Sequence, residues 1–173
     1  MSKTIQEILD LNLKRKTLKQ LSNNKEHLVS EKSVKFLINS DKKCYDFDKI
    51  HPNNSTVDAL EFNGTEYFLI EFKDERVYNL GYKEKISKLV SKKFQSMNLI
   101  LDLYLKNNLS KIDFYNSKLY FLVVFSSNKS TDLNDMKTLK TFLREKYGNI
   151  FQIDIMDEKM FIEEYVITKN IGI

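Results

Sequence analysis

The sequence predicts an α/β fold in which a mixed central sheet is flanked by helices. Two observations predict it: strand-like runs lie on either side of a long helical segment, and a tight turn signal, Asn63-Gly64, joins two of these runs. A two-residue turn joins antiparallel strands, whereas strands separated by a long helix need a crossover connection. The combination favours a mixed sheet covered on both faces.

The first elements precede this turn. The segment from Thr4 to about Leu21 begins with apolar residues on one helical face, and Thr4-x-x-Glu7 fits a capping box, so we predict a helix there. Val34 to Ile38 is a short β-favouring run and is predicted to be a strand. Residues 39–55 are mostly polar, although Cys44 to Ile50 alternates enough to form an additional strand, and its state stays open here.

The strongest local prediction is a β-hairpin from Thr56 to Lys73 with Asn63-Gly64 as its turn. After it, apolar residues from Ile86 to Tyr104 recur at helical spacing and predict a helix of roughly six turns whose apolar stripe covers the sheet. Three further elements are predicted, namely a strand at Lys118 to Phe125, a helix from Leu133 to Lys146 and a strand at Phe151 to Ile155. The tail from residue 157 to 173 is ambiguous.

Length and composition set the broad class. With 173 residues, 42% of them hydrophobic and 30% charged, the chain suffices for one core and is short for two, so we predict a single domain over residues 1–173. The single cysteine, Cys44, excludes an internal disulfide, and the start MSKTIQEILD lacks a secretory pattern, which predicts a cytoplasmic protein. Because no apolar run approaches the roughly 20 residues that span a bilayer, we expect no membrane partner.

Charge and residue spacing narrow the classes of site. The net charge of +4 permits a polyanionic partner without requiring one. Four scattered glycines do not form a phosphate-binding glycine loop, and His27, His51 and Cys44 lack the spacing of a zinc site.

The hairpin carries the candidate chemistry. With the predicted type I′ turn, Phe62 pairs with Thr65, and counting outward places Asp58, Glu71 and Lys73 on one face. Asp58 and Glu71 become diagonal neighbours about 7–8 Å apart at the backbone, from which two carboxylates can converge on one hard divalent cation. The other face is apolar and is predicted to lie in the core; it carries Val57, Ala59, Phe68, Ile70 and Phe72.

These residues resemble the motif of the PD-(D/E)xK nuclease superfamily. Val57-Asp58 is followed thirteen residues later by Glu71-Phe72-Lys73 at the end of an apolar run, and Val57 stands where the motif has proline. The predicted element order agrees with that superfamily over about residues 4–126, with a helix and a strand added over residues 127–173. The resemblance implies a restriction-endonuclease-like αβββαβ core.

The resemblance also implies a nuclease that hydrolyses DNA phosphodiester bonds with Mg²⁺ or Mn²⁺. Asp58, Glu71 and the carbonyl of Phe72 would hold the metal ion. Lys73 would orient or deprotonate water and steady the developing phosphorane charge. Many related enzymes dimerise, so a homodimer fits the resemblance. The small size of the chain, and an abundance of Lys, Asn and Ile that is typical of A+T-rich genomes, suggest a phage or other mobile element.

Related enzymes often place a lysine or a glutamine of the long helix near the active site. Lys92 or Gln95 would correspond to it here, and Gln95 is our candidate catalytic residue from that helix. Lys85, Lys88, Lys92 and Gln95 share one polar stripe, which for Lys85 and Lys88 is better explained as a solvated face.

Each candidate also has an ordinary structural explanation. Asp58, Glu71 and Lys73 would form either a surface salt-bridge cluster at the end of a strand or the remnant of a nuclease fold that has lost its activity. Such an inactive fold would serve as a nucleic-acid-binding or protein-binding module, such as a phage-particle component or an immunity factor. Glu7 is explained by the capping box rather than by a metal. Residues 14–16 with Lys19 are either a phosphate-contact patch or an exposed helix side, and the acidic tail is either a partner surface or a solvated face.

Overall fold

The computed structural model describes residues 3–22, 37–48, 55–74, 84–127 and 133–173. Six strands of these residues form one sheet in the order of the chain. The strands are β1 (Arg15–Thr17), β2 (Lys43–Asp46), β3 (Ala59–Asn63), β4 (Glu66–Lys73), β5 (Lys118–Phe125) and β6 (Gln152–Asp157). The helices are α1 (Ile5–Asn12), α2 (Leu18–Leu21), α3 (Glu84–Lys106), α4 (Lys111–Tyr115), α5 (Leu133–Tyr147) and α6 (Glu158–Phe161), followed by a π-helical segment (Ile162–Thr168).

The sheet is mixed, which confirms the predicted fold class. Strands β1 to β4 pair antiparallel with one another, whereas β5 pairs parallel with β4 and β6 parallel with β5. The change of direction follows from the connections, since a tight turn joins β3 to β4 while helices stand between β4, β5 and β6. None of the described helices has both the length and the apolar character needed to cross a membrane.

Helices cover both faces of the sheet. On one face, side chains of α1, α3, α4 and α5 pack against the sheet, and the core there includes Leu9, Tyr67, Leu69, Leu89, Ile100, Phe114, Phe121, Val123 and Leu143. On the other face, α2, α6 and the π-helical segment pack against Ala59, Phe68, Ile70, Leu122, Val124 and Met156. Because β4 and β5 alternate between these two cores, every residue from Tyr67 to Glu71 is buried.

The predicted first helix is wrong beyond Asn12. The capping box at Thr4 and Glu7 is present and α1 begins after it, but the chain turns extended at Leu13. The next residues form β1, which pairs with β2, because the sheet edge offers backbone partners that helical periodicity does not reveal. A second capping box, made by Thr17 and Gln20, then starts α2.

The predicted first strand differs from the structure, and the segment whose state was left open contains a strand. Val34 to Phe36 lie outside the described residues, and Leu37 and Ile38 lie in a bend, so the strand prediction is wrong for these two. Strand β2 lies instead within the segment left open. Its central residues, Cys44 and Tyr45, are fully buried.

The predictions for the second half of the chain agree closely with the structure. The long helix is α3, with 23 residues, and the predicted strand at Lys118–Phe125 is β5. The predicted helix from Leu133 is α5 and the following strand is β6, each ending one or two residues later than predicted. The ambiguous tail forms α6 and the π-helical segment.

The hairpin exists, but its predicted register is wrong. Phe62 pairs with Tyr67 rather than with Thr65, and Asn63 pairs with Glu66. A type I′ turn needs positive φ at both central residues, and here Gly64 adopts it (φ 68°) whereas Asn63 does not. The Thr65 N–H instead donates to the Asn63 carbonyl across Gly64 (2.7 Å). The slip is two residues, so the side chains within β3 and β4 keep their predicted faces.

Candidate functional site

The end of strand β4, the residue before β3 and helix α3 bring four charged side chains together. In the observed register Ala59 pairs with Ile70, so the preceding residue, Asp58, reaches the level of Glu71. Lys73 Nζ lies 2.7 Å from Glu71 Oε1. The fourth member is Lys92 of α3, and we refer to Asp58, Glu71, Lys73 and Lys92 as the charged cluster.

Lys92 is the centre of the charged cluster. Its Nζ donates to both carboxylate oxygens of Glu71, at 2.8 and 2.9 Å, and lies 3.7 Å from Asp58 Oδ1. The Glu71 side chain is only 1% exposed, whereas those of Asp58 and Lys73 are each 23% exposed. The charged cluster is therefore closed around Glu71 and open to solvent at Asp58 and Lys73.

Backbone hydrogen bonds hold Asp58 in this position. The Phe72 N–H donates to Asp58 Oδ2 (2.7 Å), and the Phe47 N–H donates to the Asp58 carbonyl (3.3 Å). Ser96 of α3 adds a third anchor, since its Oγ accepts from the Val57 N–H (3.1 Å) and donates to the Lys92 carbonyl (2.8 Å). The segment that carries Asp58 is thus tied directly to the helical turn that carries Lys92.

Burial and neighbouring charges change the proton affinities of the charged cluster. Desolvation and the adjacent Glu71 carboxylate raise the pKa of Asp58 to about 7, although Lys92, the Phe72 N–H and Lys73 act in the opposite direction. For Lys92, desolvation favours the neutral amine, but the charges of Glu71, Asp58 and Asp48 outweigh it and raise the pKa. Asp48 is exposed and is a third carboxylate that acts on Lys92.

The structure distinguishes Lys92 from Gln95, the two candidate residues that the long helix supplies. Lys92 joins the charged cluster, whereas the Gln95 side-chain amide donates to Ser91 Oγ of the same helix (3.0 Å), and its Oε1 is buried without a hydrogen-bond partner among the described residues. A catalytic role for Gln95 stays a prediction. The sequence signal for Lys92 is its place on the polar stripe with Gln95, three residues after Leu89, which is buried against the sheet.

One prediction about the faces of the hairpin is wrong. Val57 packs in the core on the α3 side, not on the opposite face with Ala59, because the chain bends at Asp58 before β3 begins. Tyr67 shares a face with the charged cluster, but it is fully buried and its hydroxyl is hydrogen-bonded to that of Tyr104 (2.7 Å). Tyr67 is therefore not accessible to a nucleic-acid base.

The remaining candidates have structural partners. Glu7 Oε2 accepts from the Thr4 N–H (2.7 Å), which supports the capping explanation. Arg15 donates to the buried Glu61 (3.0 Å) and stacks on the ring of Tyr45, and Lys16 pairs with Asp46. The basic residues 15 and 16 thus lie on a sheet strand with their charges compensated, rather than on the side of a helix.

The donors of the charged cluster are of the class that Mg²⁺ takes. Mg²⁺ is commonly held through one or two carboxylates while it retains several waters. Asp58 and Glu71 supply two carboxylates, and because the N–H and C=O of one strand residue point to the same side, the Phe72 carbonyl is directed toward Asp58 as its N–H is. Within the described ranges, no group of three or more His, Cys, Asp or Glu side chains is placed to hold a metal ion.

Comparisons with protein-family models, with curated proteins and with solved structures found no match to this chain. Since a fold alone does not imply a function, the function must be argued from the residues of the charged cluster and their geometry.

Proposed function

We propose that this protein is a metal-dependent nuclease that hydrolyses DNA phosphodiester bonds at the charged cluster. The observation that carries the proposal is the convergence of two carboxylates on one cationic position. Lys92 Nζ lies 2.8 Å from Glu71 and 3.7 Å from Asp58, so a cation at that point is within reach of both. Lys73 completes the set of acid, acid and lysine that the PD-(D/E)xK motif requires.

The order of elements supports the same proposal. Strands β2, β3 and β4 form an antiparallel meander, α3 and α4 then cross over, and β5 returns parallel to β4. This order is compatible with a restriction-endonuclease-like core and supports that part of the proposal. In the proposal, Asp58 before β3 and Glu71 near the end of β4 take the positions of the two carboxylates of the motif.

Asp58, Glu71 and Lys73 of the charged cluster each have their own role in the proposed hydrolysis. Asp58 and Glu71, with the Phe72 carbonyl, would hold Mg²⁺, which supplies Lewis acidity and an activated water when bound. Lys73 is partly exposed, so its ammonium can meet a phosphate oxygen and balance the charge that develops on it. The same ammonium is hydrogen-bonded to Glu71, and this contact orients it toward the metal ligands.

A second candidate is a nuclease-fold module without activity that binds nucleic acid or another protein. One observation favours it: Lys73 and Lys92 already compensate the charge of Glu71, which is nearly inaccessible to solvent. Either candidate fits a chain encoded by a phage or other mobile element. The first would be a nuclease of that element, and the second a particle component or an immunity factor. The two candidates differ in whether the purified protein cleaves DNA and binds a divalent cation.

The deciding experiment incubates the purified chain with supercoiled, linear, branched and single-stranded DNA in Mg²⁺, Mn²⁺ or chelator. Asp58→Asn and Lys73→Met are compared with Asp102→Asn and Lys106→Met, which make the same changes at exposed positions of α3. We expect metal-dependent cleavage that falls at least about 100-fold in the first two variants and is unchanged in the controls.

Two results would contradict the nuclease proposal. Cleavage that persists in Asp58→Asn and Lys73→Met would place the activity outside the charged cluster. Absence of cleavage on every substrate, together with no calorimetric binding of Mn²⁺, would favour the module without activity.

A further inference from the structure

The position of Lys92 bears on how a metal ion enters the charged cluster. Its ammonium contacts both oxygens of Glu71 and also lies 3.7 Å from Asp58 Oδ1, so it is within 4 Å of both carboxylates. A divalent cation on the same two oxygens would be strongly repelled by the Lys92 ammonium, and the more so because the Lys73 ammonium already lies 2.7 Å from Glu71 Oε1. Binding of a metal ion by Glu71 therefore requires Lys92 to move.

The charge balance of the charged cluster also indicates that Lys92 must move before a metal ion binds. Two carboxylates face two ammonium groups, so their formal charges cancel while Lys92 is in place. When Lys92 leaves, Asp58, Glu71 and Lys73 carry a formal charge of −1, which attracts a divalent cation. The low exposure of Glu71 strengthens the effect, since charges interact more strongly where water is excluded.

Lys92 has a second anionic neighbour that can receive it. Asp48 follows β2 and acts electrostatically on Lys92, yet its own side chain is exposed. A rotation of the Lys92 side chain away from Glu71 and toward Asp48 would leave its charge partly compensated. The four-carbon stem of lysine has the rotamers for such a movement.

We propose that Lys92 is an intramolecular counterion that occupies the cation site of the free protein and sets its affinity for divalent metal by having to be displaced. This inference rests on the proposed function, because it concerns the same two carboxylates. Lys92 acts here as a positioning residue that regulates loading of the site. The protein is thereby held in a metal-free state until the metal concentration is high enough to displace an internal ammonium.

The experiment measures Mn²⁺ binding to the full chain by isothermal titration calorimetry and electron paramagnetic resonance, without DNA. The variants are Lys92→Met and Lys92→Gln, and the control is Lys106→Met, which removes the same charge from α3 roughly 21 Å away. We expect both Lys92 variants to bind Mn²⁺ at least about tenfold more tightly than the unmodified chain, with the control unchanged. Lys92→Gln keeps a hydrogen-bond donor for Glu71, so it covers the case in which Lys92→Met does not fold, as judged by circular dichroism.

The outcomes separate this inference from the nuclease proposal. Equal Mn²⁺ affinity in the unmodified chain and the Lys92 variants would overturn the counterion role and leave the nuclease proposal standing. Tight binding that survives addition of Glu71→Gln to Lys92→Gln would also overturn it, since the ion would then lie elsewhere. If no variant binds Mn²⁺ and no DNA is cleaved, both proposals fail together.

Discussion

Lys92 and Lys93 are consecutive residues of α3, yet their ammonium groups lie in contrasting surroundings. Lys92 reaches two carboxylates of the charged cluster, which raise its pKa despite burial. Lys93 is fully buried and has no hydrogen-bond partner among the described residues. Its Nζ lies 3.4 Å from the ring centroid of Tyr147 and 4.9 Å from that of Phe151.

The surroundings of Lys93 form an aromatic cage made by Phe94, Phe121, Tyr147 and Phe151. Ring faces attract a cation, but they replace its hydration only in part. Burial accordingly lowers the pKa of Lys93 to about 8. The comparison teaches that one helical turn can hold one lysine as a permanent cation and its neighbour with a much lower pKa, depending on which side chains surround each ammonium group.

The largest expected effect comes from removing the charge that holds Lys92. Glu71→Gln leaves Lys92 and Lys73 facing a neutral amide in a nearly dry site, and we expect the free energy of unfolding to fall by about 3–5 kcal/mol. Glu66→Gln on the same strand is the control, because its partner Lys118 is 68% exposed and such pairs contribute about 0–1 kcal/mol. Urea denaturation compares the two, and equal losses would contradict the special position of Glu71.

The next largest expected effect is an increase in the free energy of unfolding, and it tests the aromatic cage around Lys93. Lys93→Met removes an unpartnered buried charge and should stabilise the fold by on the order of 2–3 kcal/mol at pH 7. Because the folded pKa lies below the ordinary value of 10.5, the unfolded chain binds more protons between about pH 8 and 10.5. The unmodified chain therefore gains stability as pH rises through that interval, and the advantage of Lys93→Met shrinks.

Urea denaturation at several pH values between 7 and 10.5 measures this difference. Lys106→Met, at an exposed position of α3, should show no such pH-dependent advantage. A Lys93→Met advantage that is the same at every pH would contradict the lowered pKa.

A smaller effect is expected where α3 holds the segment of Asp58. Ser96→Ala leaves the Val57 N–H without its acceptor in a buried position, and we expect a loss of about 1–2 kcal/mol. Ser91→Ala removes a hydroxyl from an exposed position of the same helix and should cost less than about 0.5 kcal/mol. Hydrogen exchange of the Val57 amide should accelerate in Ser96→Ala alone, and an unchanged exchange rate would rule out this anchor.

The smallest effect should come from Lys73, the more exposed of the two lysines on Glu71. Lys73→Met leaves Glu71 paired with Lys92, and we expect a loss of about 0.5–1 kcal/mol. Combining Lys73→Met with Lys92→Met removes both partners, so the double variant should lose more than the sum of the two single losses. An additive result in this double-mutant cycle would show that the two ammonium groups do not share Glu71.

The predictions from sequence succeed where the signal is local and periodic. The capping box at Thr4, the long helix α3 and the strand β5 follow from patterns whose period is fixed by backbone geometry. They fail at β1, where the edge of the sheet outweighs helical periodicity. The register of the hairpin failed for a local reason of another kind, since the turn residue that takes positive φ is Gly64 and not Asn63.

The period-two alternation of strands by itself predicted that Asp58, Glu71 and Lys73 share a face, and a slip of two residues leaves the side chains of β3 and β4 on their original sides. The packing of α3 on that face decided the rest. It placed Lys92 between the carboxylates and Lys93 in the aromatic cage. The rotation of a helix about its axis is set by side-chain packing across the interface, which no pattern along one segment encodes. The structure therefore turned a motif of three residues into a charged cluster of four whose central position is held by an internal lysine.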